Sequence, residues 1–521
     1  MKKFWVILLS LGLLMAFAMP AAAVDVKFSG SYYAQGWYVD NPSGLDRSET
    51  PGAASWLNNN KRSANAFYSQ QFRLTTEFQV VEGLKLVTRF DALEKRWGDQ
   101  SWAGAVGETQ SRVNGQNGTA AAGTKIQENL EFERAYLDFN VPFGKFQVGY
   151  MQFLMWGTDF LNTPLSAGGI RYYFTQGPWM AVAAVEKRAE YLGIAGGKDG
   201  ASRTVSANGG SGNIGEGNDA DKDVYDLGFT YKLGAGEAGL LYQYVRSSQF
   251  KTQFTNGYLT QISGLFPYAK LTFGNFFIEG EAAYGFGNTR SYENNGQLTN
   301  SKVADAQNPK TGQDVGIISM NLFLHAKYNL KPAYVGAQFV YMSGDDNQNS
   351  DKMTGGLGAM LTANYGFNRA LILWNADYHD CMGAMYGNVG SAVNPRSGTS
   401  YAVNQFMDNV WFYQLYVGFV PTPKMDIKLA YSIASADKKP KSDVGTTGSA
   451  GYYTPTANVR EFVSAQYGSE LDLTASYKIY DNLTYMIGAG YLWTGDYFKG
   501  YDNSAVVANN YLLSHRLTLN F

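Results

Sequence analysis

Five arginines share a position in their surroundings: Arg73, Arg89, Arg134, Arg171 and Arg188. Each falls on the polar side of a stretch in which apolar and polar residues alternate. A period of two puts the two sets on opposite faces of a strand. Four carboxylates, Glu279, Glu281, Glu470 and Asp472, occupy the same kind of position further along the chain. Fixed guanidinium and carboxylate groups facing each other across water would set up a transverse field. Such a field orders water and sorts solutes by charge and dipole. A purely local role is the alternative, in which the arginines pair with Asp91, Asp138 and Glu186 and stiffen one wall. The two readings overlap, because a paired arginine still faces the water. The first predicts a mild preference for anionic or neutral small solutes.

Other chemistry finds less support. The three histidines are His325, beside Lys327 on a polar face, His379, near Asp380 and Cys381, and His515, on the apolar side of the last alternating stretch. A nucleophilic site needs a base and an oxyanion hole as well, and none is legible. The expectation is therefore no enzyme. Cys381 is the only cysteine, which excludes an intrachain disulfide, a paired-thiol haem site and a cysteine-rich zinc site. "NDADKD" (218–223) and "GDDNQNSD" (344–351) alternate oxygen ligands as calcium loops do, but lack the glycine and distal glutamate of such loops. They read as solvated acidic loops. No cofactor and no metal are expected. The formal net charge of −2, with no basic stripe, gives no case for nucleic acid.

The elements that carry these residues are strands. In "YSQQFRLTTEFQV" (68–80), Tyr68, Phe72, Leu74, Phe78 and Val80 make one face, and Ser69, Gln71, Arg73, Thr75, Glu77 and Gln79 the other. A second such stretch follows the tight connection "VEGL", and similar stretches recur in pairs about "PFG", "GP", "GAGE", "GN", "KP", "PTP" and "YDN". With an unpaired stretch at each end, they make eighteen. The first, "VKFSGSYYAQGWYV", and the last, "YLLSHRLTLNF", are predicted to pair with each other. Between the hairpins lie long polar segments, clearest at 97–127, 192–222, 287–312, 343–406 and 437–466. Tight turns alternating with long loops are hard to fit to a compact soluble domain. The span 343–406 either adds a hairpin, "GAMLTANYGFNRALILWNADYH", or folds inward as a capping loop; sixteen to twenty strands bracket the count. "LMWGTDFLNTPLSAGG" (154–169) is apolar for an exposed loop. It either folds inward, which would use Leu161, Pro164 and Leu165, or packs against a neighbouring subunit.

Residues 1–23 read as a cleavable signal peptide, with Lys2 and Lys3 before an apolar core and "AAA" (21–23) at the cleavage site. Residues 24–521 read as one domain. Charged residues are 17% of the chain and nearly absent from the apolar faces, which is too few for the surface of a water-soluble sandwich. Aromatics fall at both ends of the apolar faces, as girdles at two membrane interfaces do. The predicted fold is an all-β, transmembrane, antiparallel up-and-down barrel with short periplasmic turns and long extracellular loops. Closure follows from physics, because in hydrocarbon an open sheet would leave two unpaired edges.

The signal, the alternating strands and the terminal Phe521 resemble a Gram-negative outer-membrane porin. That resemblance implies passive diffusion of small hydrophilic solutes across an outer membrane of Gram-negative cells. It also implies that Phe521 is the signal read by the barrel-assembly machinery, and that a homotrimer is an expected assembly. "FERAYLDFNVPFGKFQVGYMQFLMWGTDF" (131–160) is in addition similar to porin-like proteins of anaerobic proteobacteria, including alginate-export-like ones. No substrate follows from it. Two other functions fit a barrel: a sheath for an electron-transfer partner, and a surface adhesin or structural barrel acting through its loops.

Overall fold

The structure is a computed structural model. It describes residues 24–40, 64–97, 130–162, 165–189, 205–207, 210–212, 221–250, 258–292, 314–345, 352–356, 367–375, 408–439, 441–443, 459–501 and 503–521. The signal-peptide reading, Pro164, His379 and Cys381 lie outside the described residues.

Eighteen long strands form the barrel. They are β1 (Asp25–Asp40), β2 (Ala64–Val81), β3 (Leu84–Arg96), β4 (Leu130–Val141), β5 (Gly144–Gln152) and β6 (Ser166–Gln176). Next come β7 (Trp179–Ala189), β8 (Lys222–Leu233), β9 (Gly236–Phe250), β10 (Tyr258–Phe273), β11 (Phe276–Tyr292) and β12 (Val315–Asn329). The last six are β13 (Ala333–Met342), β14 (Val410–Thr422), β15 (Met425–Ser435), β16 (Gln466–Tyr480), β17 (Leu483–Thr494) and β18 (Asn510–Asn520). Each pairs antiparallel with the next, and β1 pairs with β18 from Ser31↔Asn520 to Asp40↔Tyr511. The sheet is therefore closed, as the alternation predicted. Phe521 completes the seam: its N–H donates to the Gly30 carbonyl at 3.0 Å, and the Gly30 N–H donates back at 2.8 Å.

The two faces differ as a membrane requires. Outward residues such as Phe28, Phe132 and Leu415 are among the most exposed large apolar side chains, at 62%, 66% and 67%. His515 is the odd residue on that face, midway along β18. Its ring lies over Gly36 of the adjacent strand, where a Cβ would collide with it. Tyr68 packs edge-on at 5.6 Å and Tyr485 at 5.9 Å. A polar ring is tolerated on the lipid side because a glycine gives it a recess and two tyrosines cover it.

Inside, the lumen is not uniform. The largest cluster of buried apolar side chains is internal to the barrel. It joins inward residues of the strands, such as Val224, Val245, Phe323 and Phe412, to residues of three connections that fold inward. These connections are 153–162, 367–375 and the described residues of a third, 496–501 and 503–508. Residues 352–353 add a short parallel pairing to β12.

Candidate functional site

The arginines come from β2, β3, β4, β6 and β7, which are neighbours on one arc of the barrel. All five are on the lumen side, and each is engaged differently. Arg73 meets both oxygens of Asp91, at 2.7 and 2.6 Å, and reaches Glu133 at 3.4 Å. Arg89 is ion-paired with Glu133. Arg171 and Arg188 share Glu186, at 2.8 and 3.1 Å. Arg188 also lies 4.0 Å over the ring of Phe153. Among the described residues Asp138 meets no arginine; Lys145 holds it at 2.7 Å and Gln147 at 2.8 Å. Arg134 stands directly opposite Arg89 across the β3–β4 ladder. Local pairing is thus real for four of the five. Arg516 of β18 extends the basic arc across the seam, 4.1 Å over the ring of Tyr33.

The four predicted carboxylates lie on the remaining arc, and three of them are buried. Glu281 is 2% exposed, Glu470 0% and Asp472 3%. They do not simply face water: they hold the inward connections by backbone amides. Glu281 Oε2 accepts from Thr158 N at 2.7 Å and from Thr158 Oγ1 at 2.6 Å. Glu470 accepts from Ile372 N at 2.8 Å and Leu373 N at 2.6 Å, while Asp472 accepts from Leu371 N at 3.2 Å. These bonds lie in an environment that excludes water, where a hydrogen bond is stronger than in solvent. Glu186 joins the two arcs, since it also accepts from Leu154 N at 2.7 Å.

With their backbones held, the connections meet one another. Phe160 packs on Phe367 at 5.1 Å and on Phe323 of β12 at 5.6 Å. Phe367 continues to Trp374, and Trp374 to Phe412 of β14, both at 5.4 Å. Trp156 lies on Gly228, where a Cβ would overlap its ring, and its Nε1 donates to the Phe266 carbonyl at 2.9 Å. Both stretches whose fate the sequence left open, 154–169 and 343–406, therefore send apolar segments inward. Leu161 is buried at 3%, whereas Leu165 is 49% exposed. At the tip of the first, Asp159 is exposed and comes within 3.9 Å of Arg369 on the second. Arg369 stacks on Phe367 at 3.7 Å. Burial pushes its guanidinium below the usual value, and Asp159 partly offsets that. A short 3-10 turn, Asp496–Lys499, seals a further part of the interior, with Tyr497 packed on Phe462 and Tyr467 at 4.9 and 4.4 Å.

Glu279 has a different partner. It meets His325 Nδ1 at 2.9 Å, and His325 Nε2 meets the Tyr416 hydroxyl at 2.6 Å. Tyr334 beside it donates to Asp426 at 2.8 Å and carries Lys327 4.1 Å over its ring. This network ties the lumen faces of β11, β12 and β14 together.

Glu133, Arg369, Asp159 and Arg516 belong to the site and are not among the predicted residues. Arg516 had a signal, since alternation already puts it inward. Glu133 had a subtle one: "FER" places two charges in succession inside a strand, which strict alternation cannot satisfy. Nothing local marks Asp159 or Arg369.

No family model and no curated protein matches the chain. Solved structures to which it is similar include OccK9 (OpdG) of Pseudomonas aeruginosa, at 11% identity and a TM-score of 0.43, covering 95% of this chain and 99% of that one. Another is the outer membrane protein OpdK from the same organism, at 10% identity and 0.43, covering 95% and 99%. A third is OccAB4 of Acinetobacter baumannii, at 10% identity and 0.42, covering 96% and 99%.

Proposed function

We propose that the chain is an outer-membrane porin through which small hydrophilic solutes diffuse passively, with a mild preference for anionic or neutral ones. The observation that carries this reading is the division of the lumen: a closed barrel with one arc of arginines and another filled by inward connections. The filled arc narrows the water space and leaves the basic arc as its charged border. A solute passing there meets fixed positive charge at close range, where a low-dielectric wall strengthens the field.

The rest of the reading follows from the same geometry. An apolar outer face with aromatic ends suits a bilayer. Phe521, at the seam where the last strand meets the first, suits the assembly signal that the barrel-assembly machinery reads. A homotrimer would cover part of the outer face. A sheath for a threaded partner is less favoured, since Phe160, Phe367 and Trp374 occupy the space such a partner would need.

Liposome swelling with a graded series of neutral and charged solutes tests the proposal. Small neutral sugars should enter, and small organic anions should enter at least as fast as cations of equal size. Absence of swelling for every solute would overturn the porin reading.

A further inference from the structure

One polar row crosses the lumen face of six strands. Ladder partners place Glu279 of β11 beside His325 of β12, and continue through Gln338, Gln414 and Ser432 to Glu470 of β16. This row seats the inward connection 367–375. Gln414 Nε2 donates to the Arg369 carbonyl, and Glu470 accepts the Ile372 and Leu373 amides. Gln338 Nε2 donates to Gln414 Oε1 at 3.1 Å. Gln338 Oε1 is enclosed without a hydrogen-bond partner among the described residues. A chain of directed bonds thus runs from the residue beside His325 to the backbone of the connection.

His325 has both ring nitrogens engaged, Nδ1 with Glu279 and Nε2 with the Tyr416 hydroxyl. An ionised carboxylate only accepts, so Nδ1 carries a hydrogen. In the neutral ring Nε2 is then the acceptor, and Tyr416 donates to it. In the charged ring both nitrogens donate, so Tyr416 must accept and turn its own hydrogen elsewhere. The His325 and Glu279 side chains are 13% and 18% exposed, so lumen water delivers the proton.

Cations already surround this ring. Arg369 of the connection lies 5.2 Å over Phe323, and Phe323 stacks on His325 at 6.4 Å. Lys327 follows on the same strand and lies over Tyr334 of β13, while Lys428 of β15 is 5.8 Å over Tyr416. Against them stand Glu279, Asp426, which Tyr334 engages, and Asp159 at the tip of the other connection. A charged His325 commits Glu279 to the ring and adds a fourth positive charge. Glu279 is one of the groups that offset the burial of Arg369, so Arg369 loses part of its compensation.

We propose that His325 is a proton-operated release for the connection 367–375. The neutral ring leaves the segment seated against the wall. The charged ring reverses the Tyr416 bond, crowds Arg369 and frees the segment, which widens the lumen in acid. Histidine switches elsewhere work in this way, by a local change of charge acting on an element with two arrangements. The inference rests on the porin reading for its effect on transport, while the release itself does not.

The test uses the full chain between about pH 7.5 and pH 5.5, the interval in which an imidazole changes charge. In detergent, hydrogen exchange of 367–375 is measured relative to 496–501, a connection held elsewhere by Phe462 and Tyr467. The ratio removes the intrinsic pH dependence of exchange. In the wild type it should rise about fivefold toward the lower pH, the low end of coupling between two sites. His325→Gln should stay flat. That variant keeps Glu470 and Asp472, so an undiminished rise in it would assign the release to those carboxylates and overturn the proposal. Arg369→Gln, a safeguard in case the first variant does not fold, should weaken the rise; a rise of full size there would overturn the proposal too, as would a fall in the wild type. In planar bilayers, acid should raise the wild-type conductance reversibly and leave that of His325→Gln unchanged. The two readings fail separately. A histidine-dependent rise in exchange without any conductance would keep the release and remove the porin. Conductance with exchange that ignores His325 would keep the porin and remove the release.

Discussion

The arc from β2 to β7 and the arc from β8 to β18 use the same residue types for different work. On the first, carboxylates chiefly meet side chains: Asp91 holds Arg73, and Glu186 holds Arg171 and Arg188 besides the Leu154 amide. On the second, the most buried carboxylates meet backbone: Glu281 holds Thr158, and Glu470 holds Ile372 and Leu373, while Glu279 keeps a side-chain partner in His325. A side-chain partner leaves the charge on the wall, partly compensated and still felt by a passing solute. A backbone partner brings a piece of chain into the lumen and spends the space. On the proposed reading, the first arc would set what a solute feels, and the second how much room it has.

The largest effect that would break this division comes from the packed arc. Trp374 is fully buried between Phe367 and Phe412. Truncating a buried tryptophan costs about 3–5 kcal/mol. Trp374→Ala should lower the thermal midpoint clearly and speed the entry of larger neutral sugars in liposome swelling. An unchanged size cut-off would mean that the inward segments do not narrow the path.

Glu470→Gln sharpens the same point more gently. An amide offers one acceptor oxygen and no charge, so one of the two amides at Ile372 and Leu373 loses its partner. An unsatisfied buried donor costs about 1–3 kcal/mol. Size exclusion should relax while charge selectivity stays, read as swelling rates set against reversal potentials. A selectivity change as large as that from losing arginines would show that the two arcs are not separable.

How much of this was legible differs between the arcs for a physical reason. The strands and their closure follow from alternation, because each residue's neighbours in sequence report which face it occupies. The five arginines were found for the same reason. Glu281, Glu470 and Asp472 were placed on the lumen face by the same rule, but their partners were not. The bond from Glu470 to Ile372 joins residues 98 apart, and no local pattern records such a pairing. The bulge at Glu133 is an intermediate case. Its sequence violates alternation, yet the direction in which the ladder resolves the violation depends on β3, not on β4 alone. His515 is the converse: alternation puts it against lipid, and only the recess at Gly36 explains why that is tolerable.

On the basic arc, removing three charges together should shift selectivity with little change in stability beyond that of the pairs lost. Arg73→Gln, Arg89→Gln and Arg134→Gln in one chain should move the reversal potential in a salt gradient toward cation preference. The size cut-off for neutral sugars should stay as in the wild type. A reversal potential that does not move would reduce the arginines to struts of the wall.

The smallest effect lies at the short-turn end of that arc, and it distinguishes lumen charge as such from charge beside the inward connections. Lys85 and Glu77 pair at 2.9 Å with side chains 28% and 37% exposed. An exposed pair of this kind contributes below about 1 kcal/mol, and salt screens it. Lys85→Met should therefore leave the thermal midpoint nearly unchanged. It removes one partly exposed positive charge that water screens, so the reversal potential should move far less than for any single arginine. The small shift should vanish as salt is raised toward molar strength, where the screening length falls to about 3 Å. An arginine at the level of the inward connections should keep more of its effect at the same salt, because the filled arc displaces the water and ions that would screen it. Equal salt sensitivity at Lys85 and Arg89 would mean that the packed arc does nothing to focus the field of the basic one.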